Sequence, residues 1–177
     1  FGIPRVDLPF NGKLFSSLRM ALSNSLADLV LTGTGDSSGM GNALYNRIEG
    51  NAGNNLLDGR FGNDTLTGGA GGDHFRFGTT LNAVANLDTI TDFTPADDTI
   101  ELDHAVFAAL GTGGTLAAGN FSDTGTATDA DDYVVYDPSS GALYYDADGN
   151  GAGAAVQFAQ LGTTVYPMLT AVDFVVI

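Results

Sequence analysis

The sequence predicts an all-β protein organised around a solenoid, and three observations carry that expectation. Between Gly41 and Arg76 the chain repeats every nine residues, four times over. Its acids are nearly all aspartate, 19 Asp against 2 Glu, beside 25 Gly; aspartate and glycine build turns, whereas glutamate is the acid that suits helices. After the repeats, apolar and polar residues alternate with the period of two expected of strands.

The clearest copy is Gly68-Gly69-Ala70-Gly71-Gly72-Asp73-His74-Phe75-Arg76. Before it stand the copies that begin at Gly59, Gly50 and Gly41. Each pairs a six-residue turn with a three-residue strand centred on one large apolar residue: Ile48, Leu57, Leu66 or Phe75. A strand that short cannot bury its apolar side chain alone, and stacking the copies buries the column continuously. If two copies make one full turn, loops 18 residues apart lie over one another. The sixth-position residues then pair as Asn46 with Asp64 and Asn55 with Asp73. A flexible Gly-rich linker is the plain alternative, but a linker has no reason to keep two columns in phase.

These residues resemble the RTX nonapeptide family, Gly-Gly-x-Gly-x-Asp-x-(large apolar)-x. The match is strongest in the copies at Gly59 and Gly68; it departs at Asn55, and at Leu44 and Asn46, where the family has Asp, Gly and Asp. The resemblance implies a parallel β-roll with calcium held between stacked loops. Asp64 and Asp73 are then the anionic ligands, and Asn55 and Asn46 face them as neutral ones. Each cross-loop pair offers one carboxylate and one amide, with turn carbonyls completing a shell of the size Ca²⁺ requires. The expected organisation is a lead-in and N-terminal cap over 1–31, the β-roll over 32–78, and a mostly antiparallel β region with one short helix over 79–177.

Composition narrows the partners. The net charge of −15 with only six scattered basic residues argues against nucleic acid or an anionic membrane. Nothing approaches 18 consecutive apolar residues, so no transmembrane helix is expected. Cysteine is absent, which removes disulfides and makes bound metal a natural stabiliser. The opening Phe-Gly-Ile-Pro-Arg shows no Sec-type leader and no starting Met, as expected of a fragment or a processed product.

Along the chain, Phe1 to Lys13 is expected to be an extended lead-in, and Leu14 to Leu31 to form strands that begin the roll. Asp88 to Phe93 and Asp98 to Leu102 alternate as strands about a turn at Thr94-Pro95-Ala96-Asp97. Asp103 is placed to cap a short helix ending at Leu110. Tyr133 to Tyr136 and Ala142 to Tyr145 flank Asp137-Pro138-Ser139-Ser140-Gly141 as a hairpin, and Ala155 to Phe158 and Asp173 to Ile177 are further strands. This half also resembles the C-terminal region of RTX proteins exported by the type I pathway, on Asp88 to Phe93, Asp97 to Leu102, Leu143 to Gly149, and the terminal Asp173-Phe174-Val175-Val176-Ile177, where that family carries its uncleaved export signal.

Further candidate ligands follow. Asp88 and Asp92 flank Ile90, and the resemblance implies that such residues close the last calcium site; a solvated strand face is the plain alternative. Asp146, Asp148 and Asn150 hold positions 1, 3 and 5 of a calcium-type loop with Gly151 at 6, but Gln157 stands at 12 and an apolar strand follows, so the loop is no EF-hand. An Asp-rich turn is its alternative. Asp129, Asp131 and Asp132 are expected to be solvated loop charge. Gly35-Asp36-Ser37-Ser38-Gly39 spells a nucleophile elbow in letters, but an elbow needs a helix after the serine and the repeats follow instead. His74 and His104 carry no zinc motif, and no catalytic activity is expected. The function expected is a calcium-dependent folding and secretion module of an extracellular protein, with calcium and a type I exporter as partners. The alternative is a calcium-stiffened adhesin, matrix or surface-layer subunit that self-associates, secreted or held at the cell surface.

Overall fold

The structure, a computed structural model, describes residues 6–10, 13–17 and 19–177. Parts of the expected lead-in, and Leu18, lie outside the described residues. The strands are β1 (Val6–Phe10), β2 (Lys13–Ser16), β3 (Met20–Ala21), β4 (Asp28–Leu31), β5 (Ser37–Met40), β6 (Arg47–Glu49), β7 (Asn55–Asp58), β8 (Thr65–Thr67) and β9 (His74–Phe77). They continue with β10 (Asp88–Ile90), β11 (Thr99–Leu102), β12 (Gly114–Thr115), β13 (Phe121–Ser122), β14 (Val134–Asp137), β15 (Ala142–Tyr145), β16 (Val156–Leu161) and β17 (Phe174–Val176).

Successive strands of the repeats alternate between two sheets. One runs β1-β2-β4-β6-β8-β10-β16-β15-β14-β13 and the other β12-β17-β11-β9-β7-β5-β3. Within the roll every pairing is parallel, with Ile48 beside Leu66 and Leu57 beside Phe75. The 18-residue turn expected from the repeat is therefore the turn observed. Leu29, Ile48, Leu66, Ile90 and Leu161 stack in one sheet, and Leu57, Phe75, Ile100 and Phe174 in the other. All nine are fully buried, about 1.5–3 kcal/mol of transfer free energy each. Gly39 takes the equivalent place opposite Leu57; a Cβ there would lie 2.9 Å from Ile48 Cγ2 and 3.0 Å from Leu29 Cδ2, so the neighbouring columns fill the gap.

Parallel stacking runs on past residue 78. β10 and β11 add a further turn on β8 and β9. The chain then leaves the roll after Leu102 and returns to lay β16 on β10 and β17 on β11, again in parallel. The excursion between holds the expected hairpin, β14 against β15 in antiparallel register, and β15 joins it to β16. Asp137 closes the hairpin turn, accepting from the Ser139 N–H at 2.9 Å and, through its carbonyl, from Gly141 at 2.7 Å. Edge-to-face rings fasten the excursion to the roll: Phe77 on Phe158, Phe158 on Phe107, and Phe107 on Tyr145, centroids 5.1–5.2 Å apart.

The short helix expected after Asp103 forms as turns and a three-residue 3-10 segment, Ala108–Leu110. Asp103 closes the turn before it, accepting from the Ala105 N–H at 2.9 Å, but the N-cap of the 3-10 segment is Phe107, with no side-chain cap. The segment stays at one turn because Phe107 is drawn into the aromatic cluster and Gly111, at φ 75°, ends it. Two other 3-10 turns, Ala118–Asn120 and Ala171–Asp173, precede β13 and β17.

Candidate metal centre

The turns of the roll line two edges. Loops 41–46 and 59–64 share the first edge and lead to Asp88; loops 50–55 and 68–73 share the second and lead to Asp98. On each edge the sixth-position residues form a ladder in which a carboxylate accepts the main-chain N–H of the rung before it. On the first edge the Asn46 N–H donates to Asp64 Oδ1 at 2.7 Å, and the Asp64 N–H to Asp88 Oδ1 at 3.0 Å. On the second the Asn55 N–H donates to Asp73 Oδ1 at 2.8 Å, and the Asp73 N–H to Asp98 Oδ1 at 2.9 Å. The pairs Asn46–Asp64 and Asn55–Asp73 are thus brought together as expected.

Only one oxygen of each repeat carboxylate is used. Asp64 and Asp73 are both 1% exposed, and Asp64 Oδ2 and Asp73 Oδ2 are buried without a hydrogen-bond partner. Each free oxygen lies over the first glycine of its own copy, where a Cβ on Gly59 or Gly68 would collide with it. Leaving an ionised oxygen buried and unpaired is costly. The carboxyls therefore hold their protons more tightly than usual: Asp64 is pushed up to about 7 and Asp73 to about 6, in both first by burial. Asp88 rises to about 8, through burial and then the neighbouring Asp64 charge, and burial also raises Asp98. A cation beside these oxygens reverses that balance and favours the ionised form.

The donor set fits one kind of cation. Among the described residues no three acidic or histidine side chains converge to enclose a metal by themselves. Any ion at these edges must therefore complete its shell with carbonyl and amide oxygens. Ca²⁺ accepts such ligands, whereas structural zinc sites are built from Cys and His.

Other expected ligands are distributed differently. Asp88 and Asp92 lie on opposite edges: Asp88 continues the first ladder, while Asp92 accepts from the Gly68 and Gly69 N–H groups at 2.8 and 2.9 Å on the second. They cannot share one ion. Asp98, which motif reasoning did not single out as a ligand, is the true next rung after Asp73; its second oxygen accepts from the Thr94 N–H at 2.8 Å. Asp146 and Asp148 are adjacent, with the Asp148 N–H 3.3 Å from Asp146 Oδ1, and Asp148 Oδ2 accepts from Gly153 at 3.0 Å. Asn150 is turned away, donating to the Thr128 carbonyl at 3.0 Å. Nearby, Asp132 caps its own loop by accepting from Thr128 and Asp129.

Ser37 begins β5 rather than a helix, so the nucleophile-elbow geometry is not formed there. His74 and Arg76 both hold Glu101, at 2.8 and 2.7 Å, and His104 Nδ1 lies 2.8 Å from the Ile177 carbonyl oxygen.

Known proteins agree with this geometry. Residues 40–75 match the family model described as RTX calcium-binding nonapeptide repeat, in four copies. The chain is also similar to the solution structure of the AlgE6R3 subunit from the Azotobacter vinelandii mannuronan C5-epimerase, at 28% identity and a TM-score of 0.53, over 84% of this chain and 77% of that one. No curated protein matches. Residues 40–75 thus match the RTX nonapeptide repeat and are wound as a parallel β-roll, and the cation that family implies is calcium.

Proposed function

We propose that this chain is a calcium-dependent folding and secretion module of an extracellular protein exported by the type I pathway. The observation that carries the reading is the pair of buried, unpartnered carboxylate oxygens on Asp64 and Asp73. Apart from calcium, stacking these loops concentrates negative charge in a chain that already carries −15. Calcium binding linked to folding relieves that cost, so a chain left incompletely folded in calcium-poor cytosol completes its fold once outside. The module itself is non-catalytic, and any activity belongs to the protein that carries it.

The test has two arms. Circular dichroism in chelator, then in millimolar calcium, is expected to show the β-roll signal growing with the metal. Deleting residues 173–177 is expected to abolish export of a fusion through a type I exporter; undiminished export would remove the secretion assignment while leaving calcium folding intact.

A second reading, a self-associating surface or matrix subunit, is favoured by one observation. Leu44, Tyr45, Phe61 and Val84, 42–81% exposed, all lie on first-edge loops. Light scattering with and without calcium separates the two: a monomer under both conditions speaks against self-association.

A further inference from the structure

The four loops of the array are of two conformational kinds. In loops 59–64 and 68–73 the second and fourth positions are left-handed: Arg60 at φ 70°, Gly62 at 121°, Gly69 at 100° and Gly71 at 117°. In loops 41–46 and 50–55 none of the corresponding residues, Asn42, Leu44, Asn51 and Gly53, has a positive φ. The left-handed loops carry the unpartnered carboxylate oxygens. The other two carry an asparagine at both the second and the sixth position, and their amides close on each other.

The bonding in those loops is nearly identical. Asn46 Oδ1 accepts from the Asn42 N–H at 2.8 Å, and Asn55 Oδ1 from the Asn51 N–H at 2.7 Å. The Asn46 amide donates to Asn42 Oδ1 at 3.3 Å, and the Asn55 amide to Asn51 Oδ1 at 3.1 Å. The same amides also reach back to the preceding turn of the chain. Asn42 Nδ2 donates to the Ser23 and Leu26 carbonyls, both at 2.7 Å, and Asn46 Nδ2 to Ala27 at 3.2 Å. Asn51 Nδ2 donates to the Thr32 and Gly35 carbonyls at 3.3 and 3.0 Å. A carbamoyl NH₂ presents two positive hydrogens to oxygens that would otherwise need a cation. Here those oxygens are already satisfied.

We propose that the joints between the turn containing residues 23–35 and the loops 41–46 and 50–55 are closed by asparagine amides in place of calcium. The front of the roll, residues 28–58, then folds without metal and serves as the template on which the calcium-dependent turns are laid. Asn42 and Asn51 are the positioning residues of this section. The proposal rests on the calcium reading of the Asp64 and Asp73 loops, and the experiment separates the two.

Hydrogen exchange by mass spectrometry on the full chain, in chelator and in calcium, tests it. At a hundredfold excess of calcium over Kd, residues 64–75 are expected to gain about a hundredfold in protection, while residues 28–58 stay protected in both conditions. Asn42→Ala combined with Asn51→Ala is expected to remove protection from 28–58 in chelator, leaving the calcium response of 64–75 in place. If wild-type 28–58 loses protection in chelator together with 64–75, the amide joints are overturned and the calcium reading stands. If neither segment responds to calcium, the calcium reading falls, and the division of the roll falls with it. A double variant whose 28–58 segment exchanges as the wild type does in chelator also overturns the amide joints.

Discussion

Two aspartate-rich regions of this protein look alike in sequence and differ in what they can hold. In loop 146–150 the carboxylates find main-chain donors within a few residues, and Asp148 and Asn150 are exposed to water. In the array, Asp64 and Asp73 are sealed beneath the first glycines of their copies, with one oxygen each unsatisfied. Water or a nearby N–H compensates the first set, and only a proton or a cation compensates the second. Spacing of acids is therefore a weaker guide to a metal than burial without a partner.

The widest test of that contrast is removal of calcium. Each occupied array site contributes about 2.7 kcal/mol at a hundredfold excess over Kd, so chelation should lower the melting temperature by several degrees per site, followed by circular dichroism. An unchanged melting curve would erase the distinction between the two regions.

Single ligands come next. Asp64→Ala and Asp73→Ala each remove the only anionic sixth-position side chain of a cross-loop pair and should weaken calcium binding by about tenfold or more, about 1.4 kcal/mol. Asn55→Asp should move the other way in calorimetry, tightening calcium binding while destabilising the calcium-free fold, because a second buried carboxylate then faces Asp73. Equal affinities for Asp73→Ala and Asn55→Asp would mean that the cross-loop pair is not the site.

Acidification should act in opposite directions on the calcium-free fold and on calcium binding. Asp64, Asp73 and Asp88 titrate in the fold near 7, 6 and 8, above the ordinary range of about 3.9. The calcium-free fold binds these protons more tightly than the unfolded chain does, so it gains stability from them at low pH. It loses that contribution as pH rises through about 6 to 8. Its melting temperature should therefore climb as pH falls from about 8 to 5, whereas calcium affinity should fall over the same range as protons compete for the oxygens. A calcium-free melting temperature that drops on acidification through this window would contradict the burial of these groups.

Least affected of all should be Asp148→Ala. Its carboxylate is exposed and bound locally, so neither melting temperature nor calcium affinity should change measurably. A loss of calcium affinity there would bring the 146–150 loop back as a site.

Much of this was legible from residues alone. Ile48, Leu57, Leu66 and Phe75 kept a nine-residue phase and became the buried columns; the turn signature at Asp137–Gly141 became the β14–β15 hairpin. Asp98 escaped as a ligand candidate because it follows Asp73 by 25 residues rather than 18, and no periodicity survives that change. The return of β16 and β17 to the roll was equally hidden, since strand partners separated by the whole excursion leave no local signal. The roles of Asn42 and Asn51 depend on which carbonyls the preceding turn presents, a property of the folded neighbour rather than of the repeat. The helix expected after Asp103 kept its stop at Gly111, but Asp103 closed only a local turn, and the segment was too short to outweigh the packing of Phe107.

The return of β16 and β17 also changes how the solenoid can come apart. In a stack of repeats each turn touches only its neighbours, so the outermost turn is ordinarily free to peel away first. Here that turn is fastened on both sheets: β16 to the hairpin strand β15, and β17 to β12, with the Ile177 carbonyl accepting from the His104 N–H. Peeling it requires the excursion to detach at the same moment, which converts a fraying end into a latch. Under heat or mechanical load, unwinding of the calcium-loaded roll should start at the opposite end, near β3, whose two residues have, among the described residues, a single neighbouring strand in their sheet.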